Sequence, residues 1–242
     1  MDRDTQSDAI REAAEAAADR IAEEKTHLTE LDSAIGDADH GANMDRGFRA
    51  ALERLEDADD DPAELVKTIG VALVSEVGGA AGPLYGGSLM KASGELEEGL
   101  TAESTVAFAE RYLETVEERG KASVGDKTMV DAITPAVHTY KKSIEVDDCD
   151  PLEALGKAVD AAERGVAFTT PLRAKKGRAS YLGWRSVGHQ DPGATSTLYL
   201  LEEVFGVARE YLDGDVEIDA EADVDPEQLE EPAVEDGADG GP

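Results

Sequence analysis

Apolar positions recur at helical spacing along nearly the whole chain. Ile10, Ala14, Ala17, Ile21, Leu28 and Leu31 form a first stripe behind a Thr5-x-x-Asp8 start signal. Met44, Phe48, Leu52 and Leu55 form a second, and a polar run from Glu56 to Asp61 ends it. Asp61-Pro62-Ala63-Glu64 then combines an N-cap, a proline at the first helical position and an early glutamate, ahead of Leu65, Ile69 and Leu73. The glycine-rich stretch Val77–Gly87 breaks that helix, and a short one is predicted from Pro83 towards Ser93. Thr101 is placed to cap a helix carrying Val106, Ala109, Leu113 and Val116, ending at Gly120.

Beyond the loop Lys121–Lys127, a helix is predicted from Thr128 to about Ile144, with Met129, Ile133, Ala136, Val137 and Tyr140 inward. Pro135 kinks it unless it falls in the first turn or two. Asp150-Pro151-Leu152-Glu153 repeats the capping signature, followed by Leu155, Val159, Ala162 and Val166. Thr169–Gly193 is turn-rich, and a last helix starts near Ala194 with Leu198, Leu201, Phe205, Ala208 and Leu212 as its stripe. About eight amphipathic helices without strand pairs predict an all-α domain over residues 1–213. Residues 214–242 are rich in Asp, Glu, Gly and Pro and are predicted to form a disordered acidic tail, because they carry too little apolar surface to offset ordering entropy.

Composition narrows the picture. The net charge is -32 over 242 residues, which makes nucleic acid and anionic membranes poor partners. Self-repulsion of that size points to a salt-rich, halophilic setting, where charges are strongly screened. The single cysteine, Cys149, excludes an internal disulfide and fits a reducing compartment. The N-terminus lacks an apolar signal region and no run reaches the length of a membrane span, so a cytoplasmic protein is expected.

Against this background the stretch Leu31–Phe48 stands out. Asp32, Asp37 and Asp39 fall in a D-x4-D-x-D pattern, punctuated by Gly36 and Gly41 and followed by His40 and Asn43. In so acidic a chain an Asp cluster is ordinarily solvated surface, but interleaved Leu31 and Ile35 point to a half-buried turn. Close carboxylates there call for a cation, and hard oxygen donors suit Mg2+ shared with phosphate. A second feature reverses the charge: no acidic residue occurs from Arg164 to Gln190, which holds Arg173, Lys175, Lys176, Arg178 and Arg185. Such a cationic wall opposite a metal site suits an oligophosphate. Gly120-Lys-Ala-Ser-Val-Gly125-Asp126-Lys127-Thr128 nearly reads as a Walker loop, but Asp126 interrupts it and no strand precedes it. His40, His138 and His189 lack zinc-ligand spacing.

Four stretches, IGDADHGANMDRGF, GGAAGPLYG, GDKTM and GRASYLGWRSVGHQDPGATS, taken in order, resemble the DhaL-type ADP-binding subunit of dihydroxyacetone kinase. The resemblance spans roughly Leu31–Leu212 and implies an antiparallel helical barrel that binds ADP or ATP with two Mg2+ ions at one end. By motif it makes Asp32, Asp37 and Asp39 the metal ligands. It places His40, Gly41, Ala42, Asn43, Ala80, Ala81, Gly120, Met129, Arg178, Asp191, Pro192 and Gly193 around the nucleotide, with Arg178 the catalytic candidate. Three positions depart from the family pattern: Ala81 stands where Ser is usual, Gly87 where Thr is usual, and Trp184 where Glu is common.

No substrate domain is legible beside the nucleotide pattern. The resemblance therefore implies that a separate kinase subunit holds dihydroxyacetone and that a phosphotransferase-system phosphocarrier rephosphorylates the retained ADP. Competing readings are a conventional ATP-dependent kinase subunit for another short ketose, a Mg2+-dependent nucleotide hydrolase, and a nucleotide-sensing regulatory module. Assembly as a homodimer stays open.

Overall fold

The computed structural model describes residues 1–214; the predicted acidic tail lies, but for Gly214, outside the described residues. The chain folds into eight α-helices in the order α1 (Arg3–Ile35), α2 (His40–Leu55), α3 (Pro62–Glu76), α4 (Ala81–Ala92), α5 (Ala102–Gly120), α6 (Val130–Glu145), α7 (Pro151–Thr169) and α8 (Pro192–Tyr211). Short 3-10 segments lie at Ser93–Leu96 and Arg178–Ser186, and no strand occurs among the described residues. Each helix packs on its neighbours in sequence, and α8 packs back on α1, so the helices form a closed ring. Large apolar side chains fill it: Ile21, Leu28, Met44, Leu65, Leu73, Val116 and Val130 are buried in one continuous cluster.

The ring runs up and down, which sorts its loops between two ends. At the base, Arg3 bonds Asp61 and the Glu97 carbonyl, Gln6 bonds the Leu100 backbone, and Arg11 reaches the Ala58 carbonyl. At the opposite end, the mouth, the loops before α2, α4, α6 and α8 meet. Arg178 pairs with Asp37, Lys175 with Asp126, and Gly78 abuts the Asn43 side chain. The even-numbered helices therefore all point their N-termini, the positive ends of their dipoles, at the mouth.

Local signals explain most boundaries, with instructive shifts. The Asp61 carboxylate caps α3 by accepting from the Ala63 and Glu64 N–H groups. Thr101 and Ser104 form a reciprocal capping box on α5. Asp150, in the same D-P-x-E signature as Asp61, makes no side-chain cap bond. The first helix begins three residues before the predicted Thr5-x-x-Asp8 signal would have it, because Asp2 accepts from the Thr5 N–H. Helix α4 starts at Ala81 rather than Pro83, α6 at Val130 rather than Thr128, and α8 at Pro192, where Asp191 caps it through the Ala194 N–H.

The inward face of α7 also differs from the expected one. Leu152, Ala154, Ala158, Ala162 and Val166 are buried, whereas Leu155 and Val159 are only partly so. Small residues let α6 and α7 approach closely: Ala132 and Ala136 meet Ala158 and Ala162. Gly165 sits so near the Asp131 carbonyl that an added Cβ would lie 2.2 Å from its oxygen. That carbonyl is free for the approach because Pro135, four residues on, has no N–H to donate to it. Pro135 lies in the second turn of α6, and the helix continues through it. Gly165→Ala is expected to lower stability by about 1–3 kcal/mol, as overpacking does. Equilibrium urea unfolding checks this; an unchanged midpoint would show that α6 and α7 can part freely.

Candidate functional site: a carboxylate cluster at the mouth of the ring

The metal-ligand candidates sit where α1 gives way to α2. Asp32 lies in the last turn of α1 and is buried, at 7% exposure, while Asp37 and Asp39 are exposed. The connection turns sharply through Ala38, whose φ of 62° is left-handed. One carboxylate oxygen of Asp32 organises this turn by accepting from the Asp39 N–H at 2.8 Å and the His40 N–H at 3.1 Å. A Cβ on Gly36 would lie 1.9 Å from the other oxygen, so only glycine lets the chain pass beside Asp32. One oxygen from each of Asp32, Asp37 and Asp39 lies within 4.8 Å of the others.

Of Arg173, Lys175, Lys176, Arg178 and Arg185, Arg178 alone forms an ion pair with this cluster, its Nη1 2.8 Å from Asp37. Lys175 pairs instead with Asp126 and Arg173 stacks on Trp184. Arg173, Lys175, Lys176 and Arg185 form no ion pair with the three aspartates among the described residues.

Around the cluster the other expected residues take distinct places. His40 begins α2, with Nε2 2.8 Å from the Ser196 Oγ of α8. Burial pulls its pKa below the usual imidazole range, against the opposing pull of Asp32 and Asp39. Gly41 serves a packing need, since a Cβ there would lie 2.1 Å from the Lys25 carbonyl oxygen on α1. Ala42 faces an outer cleft shared with Lys25 and Arg46. Asn43 is buried, accepts from Arg46 at 2.7 Å and meets Gly78 of the glycine loop.

Ala80 and Ala81 form the start of α4, which has no side-chain cap, so its first N–H groups are left for another acceptor. Gly120 closes α5 beside Leu84 of α4. Buried Met129 packs near Gly193 in the Asp191-Pro192-Gly193 turn that opens α8. Burial pushes the Asp191 carboxyl up to about 7, against the pull of Ala194 N–H and Lys127.

Two groups important to the mouth were not singled out from sequence. Lys127, 1% exposed and left-handed at φ 63°, donates to the Thr169 carbonyl at 2.7 Å and to the His189 carbonyl. It thus ties the loop before α6 to the end of α7 and the approach to α8; burial lowers its pKa. Tyr85 on α4 donates to the Gly193 carbonyl at 2.7 Å and lies 2.8 Å from Ser196 Oγ, which also meets His40. GDKTM and GPLYGG carried both residues in plain sight, but their partners are far away in sequence.

A closed helical ring thus gathers three carboxylates, an arginine and several helix N-termini at one mouth, an arrangement suited to a divalent cation and phosphate groups. The DAK2 domain family matches residues 34–206, and the chain belongs to it, within the DhaL-type ADP-binding subunits of dihydroxyacetone kinase. It is 43% identical over 195 residues to the "PEP-dependent dihydroxyacetone kinase, ADP-binding subunit DhaL" of Escherichia coli, covering 79% of this chain and 92% of that protein. It is 40% identical to the "PTS-dependent dihydroxyacetone kinase, ADP-binding subunit DhaL" of Lactococcus lactis, covering 78% of this chain and 91% of that one. The crystal structure of the dihydroxyacetone kinase of C. freundii superposes with a TM-score of 0.61 at 28% identity, over 84% of this chain and 34% of that one. The present chain thus spans about a third of that enzyme.

Proposed function

We propose that residues 1–213 form one nucleotide-binding domain that passes the γ-phosphoryl of Mg-bound ATP to dihydroxyacetone on a separate kinase subunit. The ADP stays bound and is rephosphorylated by a phosphotransferase-system phosphocarrier, with the cytoplasm as the setting. The observation that carries this reading is the convergence of Asp32, Asp37 and Asp39 within 4.8 Å, with Arg178 on Asp37. The E. coli and L. lactis relatives, named as ADP-binding subunits of PEP- and PTS-dependent kinases, support the relay.

The donor set fits Mg2+: three hard carboxylates converge beside a single arginine, leaving excess negative charge that a divalent ion would balance. When bound, two such ions would neutralise and align the phosphates. The protein's own part is positioning. N–H groups at the starts of α2 and α4, with His40, Gly41, Ala42, Asn43, Ala80 and Ala81, would receive the phosphates. Gly120, Met129, Asp191, Pro192 and Gly193 would line the nucleoside. In transfer, the acceptor oxygen bonds to the γ-phosphorus as the bond to the β–γ bridging oxygen breaks. That electron pair stays on ADP, and the hydroxyl proton leaves to a base on the partner subunit. Arg178 would bear on the charge of the moving group.

Native mass spectrometry of the purified chain tests the relay. A mass matching protein plus ADP and magnesium is expected to survive purification. A nucleotide-free protein that turns over free ATP with the partner subunit would replace the relay with a conventional kinase.

A further inference from the structure

The segment Arg178–Ser186 begins with the arginine that pairs with Asp37 and lies against α1. It consists of two short 3-10 turns joined at Gly183, whose φ is 57°. Its inner side is held: Ala179 packs with Ile35 and Ala174, and the Ser186 Oγ accepts from the Ala174 N–H at 2.9 Å. Its outer side carries Tyr181 and Trp184, which are 89% and 75% exposed. Trp184 is the only tryptophan of the chain. A chain this poor in aromatics has thus placed its largest side chain in solvent, where burial would normally stabilise it. The guanidinium of Arg173 lies 5.3 Å from the Trp184 ring centroid, and Arg185 is exposed beside it. Neither arginine forms an ion pair among the described residues.

Trp, Tyr and Arg are the residue types that dominate binding hot spots, and a firmly held segment loses little freedom on docking. The charge narrows the occupant. With a net charge of -32, the chain repels an acidic protein over most of its surface, but the Arg164–Gln190 window carries no acid. Continuity narrows it further: the segment's first residue is the arginine on Asp37, so a protein seated on its outer face would border the carboxylate cluster.

We infer that Tyr181, Trp184, Arg173 and Arg185 form the docking surface for the subunit that carries the phosphoryl acceptor. That partner would offer an apolar recess for the aromatic pair and carboxylates for the arginines. This rests on the reading of the chain as a phosphoryl-transfer subunit.

The test uses the full chain with Mg-ATP and the dihydroxyacetone-loaded partner subunit, comparing wild type with Trp184→Ala and Arg185→Glu. The KM for the partner subunit should rise about tenfold or more in each variant, the loss typical of a hot-spot residue. Affinity for Mg-ADP, measured by calorimetry, and rephosphorylation of bound ADP by the phosphocarrier should hold at wild-type values, which also shows that the variants fold. An unchanged KM in both variants would overturn the surface, as would a defect confined to the phosphocarrier step. So would a wild-type homodimer in sedimentation that Trp184→Ala dissociates, since the patch would then be a self-interface. Failure of the parent reading looks different: wild type itself would give no transfer to the partner subunit, before any substitution is made.

Discussion

Asp37→Asn is expected to abolish Mg2+-dependent retention of ADP and to lower phosphoryl transfer by roughly a thousandfold, the equivalent of several kcal/mol of lost charge stabilisation. Asp37 is the cleanest of the three aspartates to test. Asp32 holds the turn itself through the Asp39 and His40 N–H groups, so its loss would confound ligation with folding. Asp37 is exposed, and its recorded partner is the Arg178 side chain. Its replacement by an isosteric amide removes one negative charge and little else. Calorimetric titration of ADP with and without Mg2+, paired with the transfer assay, gives the readout. Wild-type transfer in Asp37→Asn would remove the carboxylate cluster from the mechanism.

The second large effect is expected at Arg178. Its ion pair with Asp37 is solvent-exposed, with 62% of the arginine side chain accessible, and such pairs are worth at most about 1 kcal/mol. The guanidinium can therefore leave Asp37 for a phosphate at little cost. Arg178→Met should lower kcat by roughly a thousandfold or more, the range seen when an arginine stabilises a moving phosphoryl group. The thermal midpoint should barely change. Arg178→Lys keeps the charge but not the two-pronged donor geometry and should recover only part of the rate. A kcat within a few-fold of wild type in Arg178→Met would reduce this residue to a surface partner of Asp37.

The sequence made some of this legible and hid the rest for identifiable reasons. The carboxylate turn could be read because its determinants are local: D-x4-D-x-D, with Gly36 where the chain must brush past Asp32. The eight helices were legible for the same reason, since periodicity is a local property. Closure of the ring was not, because it depends on α1 meeting α8 across most of the chain, and only the family resemblance implied a barrel. The buried face of α7 was misjudged because its contacts use Ala154, Ala158, Ala162 and Gly165, while the eye for periodicity follows the larger Leu155 and Val159. The role of Lys127 depends on carbonyls at Thr169 and His189, which no spacing rule connects to GDKTM. The basic window was visible as charge, but which of its residues meets the aspartates is a matter of backbone path.

The sorting of loops between the two ends has a practical meaning. The connections at Glu56–Asp61 and Val146–Asp150 lie at the base, joined to neighbours such as Arg11 and Lys142 through exposed carboxylates and carbonyls. Those at residues 36–39, 77–80, 121–129 and 170–191 frame the mouth. A fluorophore or an inserted peptide placed at Asp57 or Asp148 would therefore ride on the side facing away from any docked protein. Distance changes between such a label and a partner could then report each encounter without obstructing it.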